Sequence, residues 1–295
     1  MCALNSTPTK QHSSRLVDAH IHVWSTDPFK YPFGPHDGMS SPVKGATVEE
    51  FSAASSAAET SEVILIQPRV YGYDHGYLYD AGRSLKGNAR VVPTLNVVRS
   101  RATEDLRRFA SDPLTAAFRV IALGDADADW LSWATAQQTW EAASQLSLPV
   151  AFLIEAHNLP QVKNIVADHP DLTVVIDHMA RCSPGLQRDF APHLYDLAEH
   201  PNVYIKLSAV DRLSEGEFPF KDMWSLIAGL YREYGPSRLL WGSDWPYLRQ
   251  SVAYEQSFVP IREALPAASE RDFDIIFAGT ATSLFRLYSA ELKEK

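Results

Sequence analysis

The chain lacks most of the features that settle a protein's class quickly. It has two cysteines, Cys2 and Cys182, in 295 residues. That excludes a disulfide framework and points to a reducing compartment, so a cytoplasmic protein is expected. No apolar run approaches the ~20 residues of a spanning helix. Residues 1–15 lack the hydrophobic segment that a secretory leader needs. Cationic side chains are also scarce: 27 Lys and Arg stand against 36 acids, for a net charge of −9. A surface of that sign suits neither phosphate backbones nor anionic lipid, so no nucleic-acid or membrane partner is expected. A small anionic ligand stays open, because a few arginines in a pocket override the global sign. No Gly-rich turn follows the first strand-like segment, which argues against an open dinucleotide-binding sheet.

What is present is a rhythm. Residues 16–24 read LVDAHIHVW. Period 2 predicts Asp18, His20 and His22 on one face, with Val17, Ala19, Ile21 and Val23 on the other. Seven further strand-like runs come after it, at 63–67, 89–96, 117–123, 149–154, 172–176, 203–207 and 238–241. Helical patterns alternate with them, the first at 47–60 with Thr47 as N-cap and Glu50 completing a capping box. Others fall near 104–110, 130–145, 160–167, 192–199 and 220–234. Eight strand–helix units over about 270 residues predict an α/β fold, a single (β/α)8 TIM barrel. One domain is expected over residues 16–295, behind a disordered tail at 1–15. The Pro-rich stretch 25–44 is too long for a connector and is expected to be a substrate lid.

In such a barrel, chemistry gathers at the carboxyl ends of the strands. Those ends offer His20 and His22, then Gln67, Arg69 and Tyr71, then Arg119, then Glu155 and His157. The last three strands add Asp177, His178 and Arg181, then Ser208 and Arg212, then Asp244. His20, His22, His178 and Asp244 can converge on one point, where they suit gripping one metal ion or polarising one carbonyl oxygen. His157, in a turn leading to Pro160, is not expected to join them. Lys206 shares strand parity with Ser208 and is expected inside the barrel. A buried ammonium needs a carboxylate, and Asp18 is the candidate.

The segments DAHIHVW, QPRVYGYDHGYLYDA, VVIDHMAR, YIKLSAVDRL and LLWGSDWPY resemble the amidohydrolase superfamily, in particular its amidohydrolase family 2. The likeness is to the branch of 2-pyrone-4,6-dicarboxylate lactonase, sugar-lactone hydrolases and 4-sulfomuconolactone hydrolase. The resemblance implies an amidohydrolase-like barrel that opens a small cyclic ester. It implies Asp244 as the base that deprotonates water, and His20, His22 and His178 as the trio that polarises the carbonyl. Arg119 and Arg212 match positions that hold substrate carboxylates, and Arg69 and Tyr71 are further substrate-binding candidates.

The chain also departs from that lactonase. Its 38–42 region reads GMSSP where the lactonase has a tyrosine, Arg69 replaces a small hydroxyl residue, and Asp125 replaces a second arginine. A dicarboxylated pyrone is therefore not the expected substrate; another lactone, with or without one acidic group, fits. No lysine lies in the fourth strand to bridge two metals, so at most one ion is expected. The branch implies metal-free chemistry with an imidazolium as donor and no cofactor. The alternative is a single Zn or Mn on His20, His22, His178 and Asp244. Rival functions are a metal-dependent aromatic-acid decarboxylase, a lactone isomerase and a binding barrel without turnover.

Overall fold

Each apolar run becomes a strand. The computed structural model describes residues 15–34, 45–124, 128–248 and 252–287. Residues 1–14 of the expected tail, the GMSSP segment and Asp125 lie outside these residues. The strands are β1 (Leu16–Ile21), β2 (Thr60–Ile66), β3 (Ala89–Val92) and β4 (Phe118–Ala122). They continue with β5 (Val150–Ile154), β6 (Val174–Ile176), β7 (Val203–Ser208) and β8 (Leu239–Gly242). β3 stops short of the run that predicts it, because Pro93 has no N–H for the ladder.

All ladder pairs are parallel and follow chain order, β1 to β3 and β4 to β8. Bridges Val91–Thr115 and Thr94–Arg119 tie β3 and the residues after it to β4 and the residues before it, and Ile21–Trp245 joins β1 to the segment after β8. Across that last seam the Asp244 amide donates to the His20 carbonyl at 2.9 Å, and the His22 amide to the Trp245 carbonyl at 2.7 Å. The ring is an α/β barrel whose closing seam ties Asp244 to the histidine strand.

Helix α1 (Val48–Ser55) starts at Thr47, and the Thr47–Glu50 capping box is formed. Helix α2 (Gly76–Ser84) is not announced by the sequence, because Gly76 and Gly82 lower its helix propensity. The others are α3 (Ala102–Ser111), α4 (Ala134–Leu146), α5 (Leu159–Asp168), α6 (Gln187–Asp196), α7 (Val210–Leu213) and α8 (Trp224–Tyr234), followed by the short α9 (Val259–Ala264), α10 (Glu270–Asp274) and α11 (Thr280–Leu284). No helix of the described residues is long and apolar enough to cross a membrane.

Strand alternation sorts the apolar side chains into two layers. Val63, Leu65, Phe118, Val120, Phe152, Ile205 and Trp241 pack outward with helix residues such as Leu106, Trp140, Val162 and Leu230. Val17, Ala19, Ile64, Ile66, Val92, Ala117, Ala151, Val175 and Leu240 meet one another inside the barrel, with Phe285 and Leu287 closing that cluster. Period 2 carries the inner face upward. Two residues beyond Ala117, Val175, Tyr204 and Leu240 come Arg119, Asp177, Lys206 and Gly242, also facing inward.

β1 breaks the simple alternation. Asp18 pairs with Val63 and Ile21 with Leu65, three steps on β1 against two on β2. The extra residue is a bulge, and it corrects the expected face. His20 and His22 do share the inner side. Asp18 turns the other way and accepts from the Tyr254 hydroxyl at 2.8 Å and the amides of Ser243 and His20 at 2.9 and 3.0 Å. Tyr254 packs outside the barrel on Phe51 and Trp241. Asp18 therefore clamps β1 to β8 and is not the partner of Lys206.

Candidate active site

The barrel mouth collects four groups around one oxygen. Asp244 Oδ1 lies 3.5 Å from His22 Nε2, 3.6 Å from His20 Nε2 and 3.9 Å from His178 Nε2. It is buried and makes no hydrogen bond. Asp244 Oδ2 accepts from Arg212 at 2.6 Å. Asp244 sits at φ 61°, in the left-handed region. His178 to Arg181 also run at φ 51–55°, a left-handed turn that costs roughly 1–2 kcal/mol per residue. Backbone strain of this kind concentrates at functional sites. Gly242 is required here, since a Cβ on it would lie 2.6 Å from His20 Cβ.

Each imidazole is anchored through its other nitrogen. His22 Nδ1 lies 2.9 Å from the Ile66 carbonyl, His178 Nδ1 2.7 Å from Ser208 Oγ, and His20 Nδ1 3.2 Å from Lys206 Nζ. Lys206 pairs with Asp177 at 2.9 Å, and Arg119 donates to the same carboxylate at 2.8 Å. All three of those residues are buried. Lys206 thus has its carboxylate, but it comes from β6 and not from β1.

Burial dominates the titration of the site. It pushes His22 and His20 below the ordinary histidine range, for His20 with help from the Lys206 charge, and it takes His178 to about 4. Burial thus opposes the imidazolium that the resemblance implies as donor. Burial pushes Asp244 upward, but His178, His22, His20 and Arg212 outweigh it and hold the carboxyl below its usual range. Asp177 behaves likewise, with Lys206 and Arg119 outweighing its burial. Burial lowers Lys206, against the pull of Asp177.

The candidate binding residues separate. Arg212 is at the mouth, partly exposed, its guanidinium 5.1 Å from the Tyr247 ring. Arg119 is spent on Asp177, yet its charge still reaches His22 and His178. Arg69 lies in a turn after β2, and its charge reaches Tyr247. Tyr71 is buried; its hydroxyl accepts from the Ser25 amide at 2.8 Å and its ring packs on Phe33. His157 is exposed in a turn after β5.

The arrangement is a strand-end carboxylate facing imidazoles in a parallel barrel. A family model described as amidohydrolase matches residues 17–287. The chain belongs to the amidohydrolase family. It is 29% identical to an L-fucono-1,5-lactonase of Burkholderia ambifaria, over 79% of this chain and 81% of the relative. It is 28% identical to a 2-pyrone-4,6-dicarboxylate hydrolase of Comamonas testosteroni, over 82% and 80%. Among solved structures, an amidohydrolase from Burkholderia multivorans with bound zinc covers 93% of this chain at 100% of its own length. Its TM-score is 0.79 and its identity 20%.

That zinc poses a question for the donors here. A tetrahedral ion with bonds of about 2.0–2.1 Å spaces its donors roughly 3.3–3.4 Å apart. His20 Nε2 and His22 Nε2 are 3.2 Å apart, and both stand close to Asp244 Oδ1. The spacing suits an ion. The charge does not, because the Lys206 ammonium faces His20 Nδ1 at 3.2 Å. Lys206 thus sets His20 against an ion, although donor atoms of His20, His178 and Asp244 lie within 4.8 Å of one another.

Sequence reasoning missed Tyr247. Its ring meets His22 edge-on at 5.4 Å and lies beneath Arg212. The one signal for it was its place three residues after Asp244, on the loop that seals the β8–β1 seam.

Proposed function

We propose that this amidohydrolase is a lactonase, with a small cyclic ester bound over Asp244. The observation that carries the reading is the bare Oδ1 of a buried carboxylate, ringed by three imidazoles at the barrel mouth. Likeness to a fuconolactonase and a pyrone-dicarboxylate hydrolase supports the reaction class.

Asp244 Oδ1 accepts a proton from water as the water oxygen bonds to the ring carbonyl carbon. The N–H groups of His20 and His178 donate to the carbonyl oxygen as it becomes an oxyanion. His22, with its proton on Nδ1, accepts the His20 N–H in the free enzyme and gives up that place to the carbonyl oxygen when substrate binds. When the tetrahedral centre collapses, the ring C–O bond breaks and Asp244 returns its proton to the leaving oxygen. The product is an open-chain hydroxy acid. Arg212 takes an acidic group of the substrate, and Arg69 and Tyr247 border the same space. Drawing Arg212 away from Asp244 removes a cation from the carboxylate and makes it a stronger base.

The test is a lactone panel followed by proton release. Asp244→Asn keeps the shape of the side chain but cannot take the proton, so kcat should fall by about 10²-fold or more. Hydrolysis near the wild-type rate in folded Asp244→Asn would refute the assignment. CO2 release from an aromatic acid, with no lactone consumed, would move the chain to the decarboxylase reading.

A further inference from the structure

One string of hydrogen bonds in the site has both ends fixed by chemistry. Lys206 Nζ stands 3.2 Å from His20 Nδ1 while paired with Asp177 at 2.9 Å. An ammonium donates and never accepts. At the other end, the Ile66 carbonyl lies 2.9 Å from His22 Nδ1, and a carbonyl never donates. Between them the two Nε2 atoms are 3.2 Å apart, so one carries a proton and the other a lone pair. One assignment of protons satisfies every contact. Lys206 donates to His20 Nδ1, His20 Nε2–H donates to His22 Nε2, and His22 Nδ1–H donates to the Ile66 carbonyl.

We propose that Lys206 is a positioning residue that locks His20 in its Nε2–H tautomer, making it a hydrogen-bond donor to substrate and unfit as a metal ligand. Two histidines that look equivalent at i and i+2 thereby take opposite roles, one as donor and one as acceptor. The competing state would turn the His20 proton to Nδ1, toward Asp177 Oδ1 at 3.6 Å, and free Nε2 for an ion. Asp177 is held away from that role by the closer Lys206 and Arg119. Local charge acts the same way. Lys206, Arg119 and Arg212 outnumber Asp177 and Asp244, an excess that opposes a divalent cation.

The test uses full-length protein labelled with 15N at histidine. Long-range proton–nitrogen correlations report which ring nitrogen bears the proton, and His20→Gln identifies the signals of His20. Wild-type His20 should show a protonated Nε2 and a bare Nδ1 near neutral pH. In Lys206→Met the proton should move to Nδ1. Zinc chloride titrated into that variant should bind about 10- to 100-fold more tightly than into wild type, the scale on which outer partners of ligating histidines act.

Lys206→Met leaves Asp177 with Arg119 alone, so the double variant Lys206→Met with Asp177→Asn removes a cation and an anion together. It should shift in the same direction, and circular dichroism checks the fold of each. A wild-type His20 protonated on Nδ1, or an unchanged zinc affinity in the folded variants, would overturn the proposal. Neither readout needs turnover. A tautomer shift without any lactone hydrolysed defeats the lactonase reading alone, and hydrolysis without the shift defeats this one alone.

Discussion

The barrel interior has two storeys made by the same strands. The lower one is apolar, with Val17, Ile64, Val92, Ala117, Ala151, Val175 and Leu240 in mutual contact. One inward step further along, about 6.6–6.8 Å by strand geometry, the upper storey holds Arg119, Asp177 and Lys206, and beyond them His20, Ser208 and Asp244. Both storeys are buried. They differ in what burial does. Below, removal from water stabilises the fold by roughly 25 cal/mol per Å² of apolar surface. Above, desolvation costs more than ion pairing securely returns, so buried charges are weak evidence for stability. The ionic storey sets its charges beside His20, and the apolar storey offsets its cost.

Breaking the upper storey should have the largest effect. Asp177→Leu strands Lys206 and Arg119 as buried cations without a carboxylate, and loss of one partner from such a set costs about 3–5 kcal/mol. Urea unfolding should show that loss, and the folded fraction should turn over more slowly because His20 loses the support of Lys206. Unchanged stability would mean that the pair is solvated.

The lower storey should respond differently. Ile64→Ala leaves a cavity in the floor and should cost roughly 2–5 kcal/mol, with kcat of the folded enzyme near wild type. A large fall in kcat would show that the storeys are coupled through packing.

At the rim, Arg212→Met should raise KM for acidic lactones by a factor corresponding to roughly 1.5–3 kcal/mol, the worth of a charge-assisted contact. Neutral lactones should change little in KM. Equal losses on both classes would assign Arg212 to holding Asp244 alone.

The smallest effect concerns pH. Burial lowers His178 and, behind β3, His75 to about 4 from an ordinary 6.5. Between those values the unfolded chain binds more protons than the folded one, so stability rises with pH across the window. Tm should fall as pH is taken from 7 toward 4.5. Below that range Asp177, whose carboxyl is held under its usual range, adds its own loss as it protonates. A Tm that stays flat from pH 7 to 4.5 would contradict neutral, buried rings.

Much of this molecule was written locally. Apolar runs of four to eight residues alternating with amphipathic stretches specify parallel strands covered by helices, and their number specifies a barrel. Motif order placed His20, His22, His178 and Asp244 at strand ends, and Thr47 with Glu50 announced its own helix. Those features depend on neighbours within a few positions, so the sequence carries them openly. The face of Asp18, the partner of Lys206 and the hold of Arg212 on Asp244 were not legible. A one-residue bulge against β2 turned Asp18 outward, and the register of β6 on β7, Ile176 beside Ile205, set Asp177 next to Lys206. The sequence by itself determined which groups stand at the mouth. Only closure of the barrel decided which of them touch, because hydrogen-bond direction and desolvation depend on partners that lie 30 to 236 residues apart in the chain.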